Sequence, residues 1–302
     1  MIPRDVAASV RQRQLNLARE RGEDFGFVLT RYALERIMYR LSRSGHREQF
    51  ILKGAMLFAL WGDEPHRPTR DLDLLGTGSI DTGRLEQVFR EVIGVKVEDD
   101  GLKFLPETVR AESIREDEEY EGVRVHLEAR LAAARIKVQI DVGFGDVVTP
   151  APMETEYPVL FDFPAPRLRT YPRETVVAEK FEAMVKLGIA NSRMKDFYDL
   201  WVIARSFEFD GTLLSQAIRA TFERRGTALP TEVPLALSEE FSDDPGKKTQ
   251  WVAFLRRLGQ AAGSVSLAEV TETLKEFLWP PALAAARDEV SKNLWAPAGP
   301  WK

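Results

Sequence analysis

The protein is a chain of 302 residues, of which 44% are hydrophobic and 29% charged, the composition of an ordinary globular protein. It contains no cysteine, which excludes disulfides and thiolate metal sites, and its net charge of −5 argues against indiscriminate binding to nucleic acid. No stretch approaches the ~20 apolar residues of a membrane span, and the N-terminus lacks a signal-peptide pattern, so we expect a cytoplasmic protein.

The first elements in chain order are predicted to be helical. Residues 1–25 are polar and charged, which is typical of a short helix or arm. Apolar residues then recur at the spacing of a helix with one buried face, at Leu34, Ile37, Met38 and Leu41.

A strand–turn–helix–strand unit is predicted next. Residues 50–52 form a short apolar strand, and Gly54 permits a sharp turn into a buried helix over residues 55–61. A polar turn over residues 62–68, with two prolines, leads into the second strand. The pattern favours one continuous folding unit.

The second strand carries two carboxylates. Side chains two apart on a strand point the same way, so Asp71 and Asp73 share a face while Leu72 and Leu74 enter the core. Neighbouring carboxylates disfavour each other's charged form, and a divalent cation between them removes that cost. Hard oxygen ligands suit Mg²⁺, or Mn²⁺, which takes further ligands from substrate phosphates. The alternative is a solvated strand edge with two ordinary aspartates.

A β-hairpin is predicted after a charged amphipathic helix over residues 81–92 and an acidic stretch over 98–121. Apolar and charged residues alternate over 123–131 and 135–141, and the three residues between them, 132–134, are few enough for an antiparallel hairpin. Asp141 then lies at the end of the second strand, on its polar face. The alternative is a charged strand end without a ligand role.

A proline-rich segment separates two parts of the chain. Six prolines lie within residues 149–172, which excludes regular helix there and places a domain boundary between residues 1–165 and 166–302. The second part is predicted to be helical over residues 173–187, 194–206, 212–225, 247–260 and 266–278, with a linker over 226–246. Seven basic and three acidic residues within 165–195 predict a positive surface for phosphates; solvated helix faces are the alternative.

Four short stretches, taken in order, resemble the AbiEii/MenT family of nucleotidyltransferase toxins. They lie within roughly residues 48–205 and read Lys53-Gly-Ala55, Arg67-Pro-Thr-Arg-Asp-Leu-Asp73, Ala178-Glu-Lys180 and Lys195-Asp-Phe-Tyr-Asp199. Other nucleotidyltransferases have Gly-Ser at the first turn, where the serine contacts a phosphate. Ala55 has no hydroxyl, so that contact falls to backbone N–H groups at the helix start or to Thr69.

The resemblance implies an α+β protein with a nucleotidyltransferase-fold mixed β-sheet core, followed by a C-terminal helical domain, with the active site in the cleft between them. The catalytic residues it implies are Asp71, Asp73, Lys180 and Asp196. The nucleotide-binding residues it implies are Lys53, Gly54, Thr69, Arg70 and Asp199. Asp71 and Asp73 would hold one or two Mg²⁺ ions, and Asp141 would complete the second metal site.

The residues of the second part also have plainer explanations. A lysine at position 180 borders the packed face of its helix and can extend along the core edge, and Lys186 is the other candidate cation. Asp196 and Asp199 lie in the first turns of a helix, where a carboxylate is favoured in any protein.

The implied reaction is attack of an acceptor hydroxyl on the α-phosphate of an NTP, with release of pyrophosphate. In the family the acceptor is the 3′ end of tRNA, translation is inhibited, and the partner is a separately encoded antitoxin. Two rivals stay open: a small-molecule (aminoglycoside-like) nucleotidyltransferase and a catalytically silent nucleotide- or partner-binding module. The three histidines lack metal-ligand spacing, and no phosphate-binding glycine loop occurs.

Overall fold

The structure, a computed structural model, describes residues 5–62, 69–117, 120–259 and 264–302. The chain divides into two compact units, Met1–Gly145 with Met153–Thr170, and Asp146–Pro152 with Tyr171–Lys302. The polar turn predicted over residues 62–68 lies outside the described residues except for Gly62. Within the described ranges, no helix is both long enough and apolar enough to cross a membrane.

The first unit is built on a mixed sheet. Its strands in the described ranges are β1 Phe50–Lys53, β2 Asp71–Gly76, β3 Leu102–Asp117, β4 Tyr120–Leu131, β5 Ala134–Phe144, β6 Met153–Glu156 and β7 Arg167–Thr170. Their order across the sheet is β3-β4-β5-β2-β1-β7-β6. The pairs β2–β5 and β1–β7 are parallel, and the other neighbours are antiparallel. This sheet, together with the helices, confirms the predicted α+β class.

The predicted hairpin is present as β4 and β5. Its turn consists of two residues, Ala132 and Ala133, rather than the three that we expected. Ala132 has φ of 51°, in the left-handed region that alanine rarely adopts. The shorter turn decides which residues of β4 and β5 lie opposite each other.

The proline-rich segment contains no helix, as predicted, but it does contribute β6 and β7 to the sheet. The six prolines lie before, between and after these two strands, where no ladder N–H is needed. The connection is tied at its ends by the Tyr157 N–H, which donates to the Pro166 carbonyl over 2.8 Å. Strands of four residues are too short to show a clear alternation in the sequence.

The helices of the first unit are α1 Val6–Arg21, α2 Phe25–Ser42, α3 Phe58–Trp61 and α4 Thr82–Ile93. The predicted buried face of α2 is confirmed, because Leu34, Ile37, Met38 and Leu41 are all fully buried. The helix begins nine residues earlier than that pattern, where the Asp24 side chain accepts a hydrogen bond from the Phe27 N–H. The helix predicted after Gly54 consists of a 3₁₀ turn, Gly54–Leu57, followed by α3.

The second unit is mainly helical. Its helices are α5 Arg173–Leu187, α6 Met194–Ser206, α7 Gly211–Arg224, α8 Glu239–Asp243, α9 Pro245–Leu258 and α10 Leu267–Arg287, and a small sheet pairs β8 Phe209–Asp210 with β9 Leu294–Trp295. The bounds of α5 and α6 are those predicted. The predicted linker over 226–246 contains α8, which the Ser238 side chain caps. Pro245 begins α9 instead of preventing it, because the first turn of a helix tolerates proline.

Helix α10 continues past Pro280 and Pro281, although the sequence predicts its end at residue 278. Pro281 has no N–H, so the Phe277 carbonyl loses its usual donor within the helix. The indole N–H of Trp301 donates to that carbonyl over 3.1 Å. The C-terminal tail therefore satisfies the carbonyl that the proline would otherwise leave without a donor.

Candidate active site

The pairing of β2 with β5 brings three carboxylates together. In the parallel register Asp73 lies opposite Asp141, and Asp71 lies opposite Gln139. Paired residues point to the same face of a sheet, so all three carboxylates share one face. One oxygen from each lies within 4.8 Å of the others, and each side chain is partly exposed. Among the described residues this is the single cluster of three or more potential metal ligands.

The carboxylate cluster, defined as Asp71, Asp73 and Asp141, fits a divalent ion of the Mg²⁺ or Mn²⁺ type. It offers only hard oxygen donors, and its partial exposure leaves room for water and substrate phosphates as further ligands. The opposite face of β2 is buried, because Leu72 and Leu74 lie in the core. The strand that carries two of the ligands is therefore held by packing.

Gly54 lies against one of these ligands. Its φ is 72°, and a Cβ added to it would lie 1.9 Å from Asp73 Oδ2 and 2.6 Å from Asp73 Cβ. The position therefore requires glycine for two reasons: only glycine adopts this backbone conformation readily, and Asp73 occupies the space that a side chain would need. The sequence predicted the turn but did not reveal the contact with Asp73.

Thr69 and Lys53 also lie on the face of the carboxylate cluster. The Thr69 hydroxyl donates a short hydrogen bond to Asp71 Oδ1. Lys53 lies opposite Asp73 in the β1–β2 register, and its Nζ is 3.9 Å from the position that a Cβ on Gly143 would take. The structure thus brings both residues to the face of the sheet that carries the three carboxylates.

Arg70 points elsewhere. Its guanidinium lies over the Phe27 ring, 4.0 Å from the centroid, and 3.9 Å from an oxygen of Asp24. Phe27 is on α2 and Asp24 caps that helix, and neighbouring residues of an extended chain alternate between faces. The structure therefore places Arg70 away from the carboxylate cluster, unlike the other nucleotide-binding residues expected in the first unit.

Arg124 and Gln139, which the sequence did not indicate, hold Asp141. Arg124 lies opposite Asp141 in the β4–β5 register, and its Nε and Nη2 each donate to one Asp141 oxygen over 2.8 Å. Gln139 Nε2 donates to the same carboxylate over 3.1 Å. The hydrogen bond to Asp141 raises the pKa of Arg124 above its ordinary value, so its charge is retained. A predicted turn of two residues rather than three would have revealed this pair.

A second charged cluster lies in the second unit, around Lys180. The Lys180 ammonium donates to Asp196 Oδ1 over 2.5 Å and to Asp199 Oδ2 over 2.8 Å. Arg193 Nε donates to the other Asp196 oxygen over 2.6 Å. Both aspartates are fully buried, and the Lys180 side chain is 14% exposed. The structure thus joins three of the predicted site residues into one unit, whereas Lys186 is exposed.

The charges of this second cluster depend on each other. Burial alone would raise the pKa of Asp196, but the positive charges of Lys180 and Arg193 outweigh it and hold that pKa below its ordinary value. Asp196 is therefore ionised at neutral pH. Removing one partner of such a buried pair leaves an uncompensated charge, which costs about 3–5 kcal/mol. Helix N-terminus preference alone does not explain buried aspartates that bind a lysine.

Comparison with known proteins identifies a family. The family described as "Nucleotidyl transferase AbiEii toxin, Type IV TA system" matches residues 36–284. Two solved structures from Helicobacter pylori, JHP933 and a protein inferred to be a nucleotidyltransferase, are each 16% identical to the chain with a TM-score of 0.44. The matches cover 84% of this chain and 89% and 92% of the two proteins respectively. Among curated proteins, none matches the chain.

Proposed function

The chain belongs to the AbiEii family of nucleotidyltransferase toxins from type IV toxin–antitoxin systems, and we propose that it transfers a nucleoside monophosphate from an NTP to the 3′ end of tRNA. Loss of a usable tRNA end would inhibit translation. The observation that best supports transfer chemistry is the carboxylate cluster, which the β2–β5 register assembles on one face. The family implies an NTP substrate and an antitoxin partner.

Asp71 and Asp73 would hold a divalent ion, and Asp141 would complete a second metal site or take the proton of the acceptor hydroxyl. A bound divalent ion supplies charge neutralisation for the triphosphate and stabilises the attacking and leaving oxygens. Lys53, which lies opposite Asp73, is proposed to contact the triphosphate, and Thr69 lies on the same face, bound to Asp71. Gly54 allows the chain to pass close to Asp73.

Lys180 is proposed to provide positive charge for substrate phosphates, and Asp196 and Asp199 to position it. The two carboxylates fix the ammonium at distances of 2.5 and 2.8 Å, so little reorganisation is needed when a phosphate approaches. A preorganised cation of this kind stabilises charge that develops during phosphoryl transfer. The family resemblance assigned these three residues, and their contacts are consistent with one functional unit.

The test of the acceptor is transfer from labelled NTPs to intact tRNA, to tRNA without its terminal nucleotides, and to an aminoglycoside. We expect label on intact tRNA alone and none with Asp71→Asn, which removes a ligand without removing buried packing. Acceptor affinity is also measured across a series of salt concentrations. Each phosphate contact on a single strand contributes about −0.7 to the slope of log affinity against log salt concentration, so three or four contacts give a slope of roughly −2 to −3. Label on the aminoglycoside but not on tRNA would replace the toxin proposal with a small-molecule transferase.

Inhibition of translation is tested separately. Adding the protein with NTPs to a cell-free translation reaction should stop synthesis, and the Asp71→Asn protein should not. Once the toxin has been removed, fresh tRNA should restore synthesis if tRNA is the modified component. Continued arrest after fresh tRNA and removal of the toxin would mean that another component of the reaction is the target.

A further inference from the structure

A positively charged side chain of the protein, Arg124, is bound to the carboxylate cluster. Arg124 binds both oxygens of Asp141 in the two-bond arrangement that guanidinium and carboxylate groups form best. The Asp141 side chain is 14% exposed, and Gln139 donates to it as well. Asp141 is therefore more fully engaged than an unpaired metal ligand would be.

The charge of Arg124 acts on more than its direct partner. Arg124 binds Asp141 over 2.8 Å, and an oxygen of Asp141 lies within 4.8 Å of oxygens of Asp71 and Asp73, so Arg124 lies within electrostatic reach of the proposed metal ligands. A divalent ion placed between Asp71 and Asp73 would be repelled by the same guanidinium. Coulomb's law gives on the order of a tenfold change in affinity for one unit charge next to a divalent ion at a half-exposed site.

We propose that Arg124 is a resident counter-cation of the carboxylate cluster, and that it positions Asp141 and weakens the binding of the first divalent ion. The proposal rests on the proposed metal-dependent transfer. In the nucleotide-free protein, one ion binds to Asp71 and Asp73 while Arg124 keeps Asp141. Asp141 becomes available to a second ion or to the acceptor hydroxyl only when Arg124 releases it, and the negative charge of a bound triphosphate favours that release.

The proposal makes the affinity for the first ion follow the charge of the cluster. Arg124→Gln removes a positive charge and should bind Mn²⁺ on the order of tenfold more tightly than wild type. Asp141→Asn leaves Arg124 without its carboxylate and should bind Mn²⁺ on the order of tenfold more weakly. The double variant changes both charges and should return close to the wild-type affinity. Arg124→Lys keeps the charge and should stay within about threefold of wild type.

A purely structural role for Arg124 gives a different order. If Asp141 is a ligand of the first ion and Arg124 only orients it, Arg124→Gln binds Mn²⁺ no more tightly than wild type. The double variant then binds as weakly as Asp141→Asn, because the ligand is missing in both. The two accounts therefore predict different changes in Mn²⁺ affinity for Arg124→Gln. They also predict different coupling between Arg124 and Asp141 in the double variant.

Arg135 provides the matched control. It forms a similar two-bond ion pair with Glu128, with distances of 2.5 and 2.6 Å, on the same two strands. Arg135 lies opposite Arg130, six residues along β4 from Arg124, or about 20 Å at the rise of a strand. Arg135→Gln removes the same charge and the same kind of bond from the hairpin, and it should leave Mn²⁺ affinity unchanged.

The experiment is a Mn²⁺ titration of each purified full-length protein without NTP or acceptor, followed by electron paramagnetic resonance of free Mn²⁺. Circular dichroism checks that each variant is folded, and Asp141→Asn with the double variant gives the comparison again if Arg124→Gln does not fold. The expected affinities run from Arg124→Gln, through wild type with the double variant, to Asp141→Asn. An unchanged or weaker Arg124→Gln, or a double variant as weak as Asp141→Asn, overturns the inference. A wild-type protein that binds no Mn²⁺ overturns the metal site of the proposed function itself.

Discussion

Replacing Gly54 by alanine tests whether the geometry of Asp73 is essential. The added methyl group would lie 1.9 Å from Asp73 Oδ2, where ordinary van der Waals contact begins at 3.4 Å. Rotation of the carboxylate cannot remove the whole overlap, because Asp73 Cβ itself would lie 2.6 Å away. The backbone of Gly54 or of β2 must therefore shift, and the proposed metal ligand must shift with it.

The expected loss follows from the size of this movement. About 1.5 Å separates the 1.9 Å contact from the ordinary 3.4 Å limit, and a misplacement of about 1 Å can cost roughly 100-fold in rate. We therefore expect Gly54→Ala to lower kcat/KM by at least about 100-fold and to weaken Mn²⁺ binding. The positive φ adds a separate cost of about 1–2 kcal/mol to the free energy of folding.

Gly22 separates the backbone cost from the contact with Asp73. Its φ is 65°, close to that of Gly54, but no atom lies within 4 Å of an added Cβ. Gly22→Ala should lose about 1–2 kcal/mol of stability in chemical denaturation and keep full transfer activity. Wild-type turnover and Mn²⁺ affinity in Gly54→Ala would refute the argument. Equal losses of activity in the two variants would show that backbone strain alone is responsible.

Three further predictions concern single contacts. Thr69→Glu adds negative charge beside Asp71 and should abolish transfer. Thr77→Glu adds the same charge at the exposed residue just after β2 and should not abolish it. Equal rates of NTP turnover in the two variants would contradict this prediction. Because Lys180 and Asp196 bind each other, the double alanine variant should lose little more kcat/KM than either single variant, and losses that sum in free energy would indicate separate roles. Burial raises the pKa of Glu35 to about 7, so the folded state takes up protons that the unfolded state does not between about pH 4.5 and 7. The unfolding free energy of wild type relative to Glu35→Gln should therefore fall as pH rises through that window, by at most about 3 kcal/mol, and a flat difference in denaturation would show that Glu35 does not titrate there.

Local patterns were enough for most of the fold. Helices α5 and α6 were predicted with their observed bounds, since a proline precedes α5 and a glycine follows it, and both have clear apolar faces. Elements supported by distant residues were not predictable in this way. The extension of α10 depends on a hydrogen bond from Trp301, a residue in a tail that has no pattern of its own.

The candidate site shows the same division. Asp71 and Asp73 followed from the alternation of one strand, and Asp141 from the end of another, because each needs only local periodicity. Arg124 was missed because its contact with Asp141 depends on the register of β4 and β5. That register depends on a turn of two alanines, one of which has a positive φ that alanine rarely adopts. A one-residue change in the turn would have moved every cross-strand pair.

Position 55 has an alanine in place of a serine, and the Thr69 hydroxyl is already bound to a carboxylate. A hydroxyl group has one proton, and that of Thr69 is donated to Asp71. Thr69 therefore cannot donate to a phosphate while it keeps this bond, although its oxygen can still accept. An ammonium group has three donors, so Lys53 can bind a phosphate and keep another partner as well. Lys53 lies opposite Asp73 on the same face of the sheet. We therefore propose that Lys53 takes over the phosphate contact of the missing serine and that Thr69 positions Asp71.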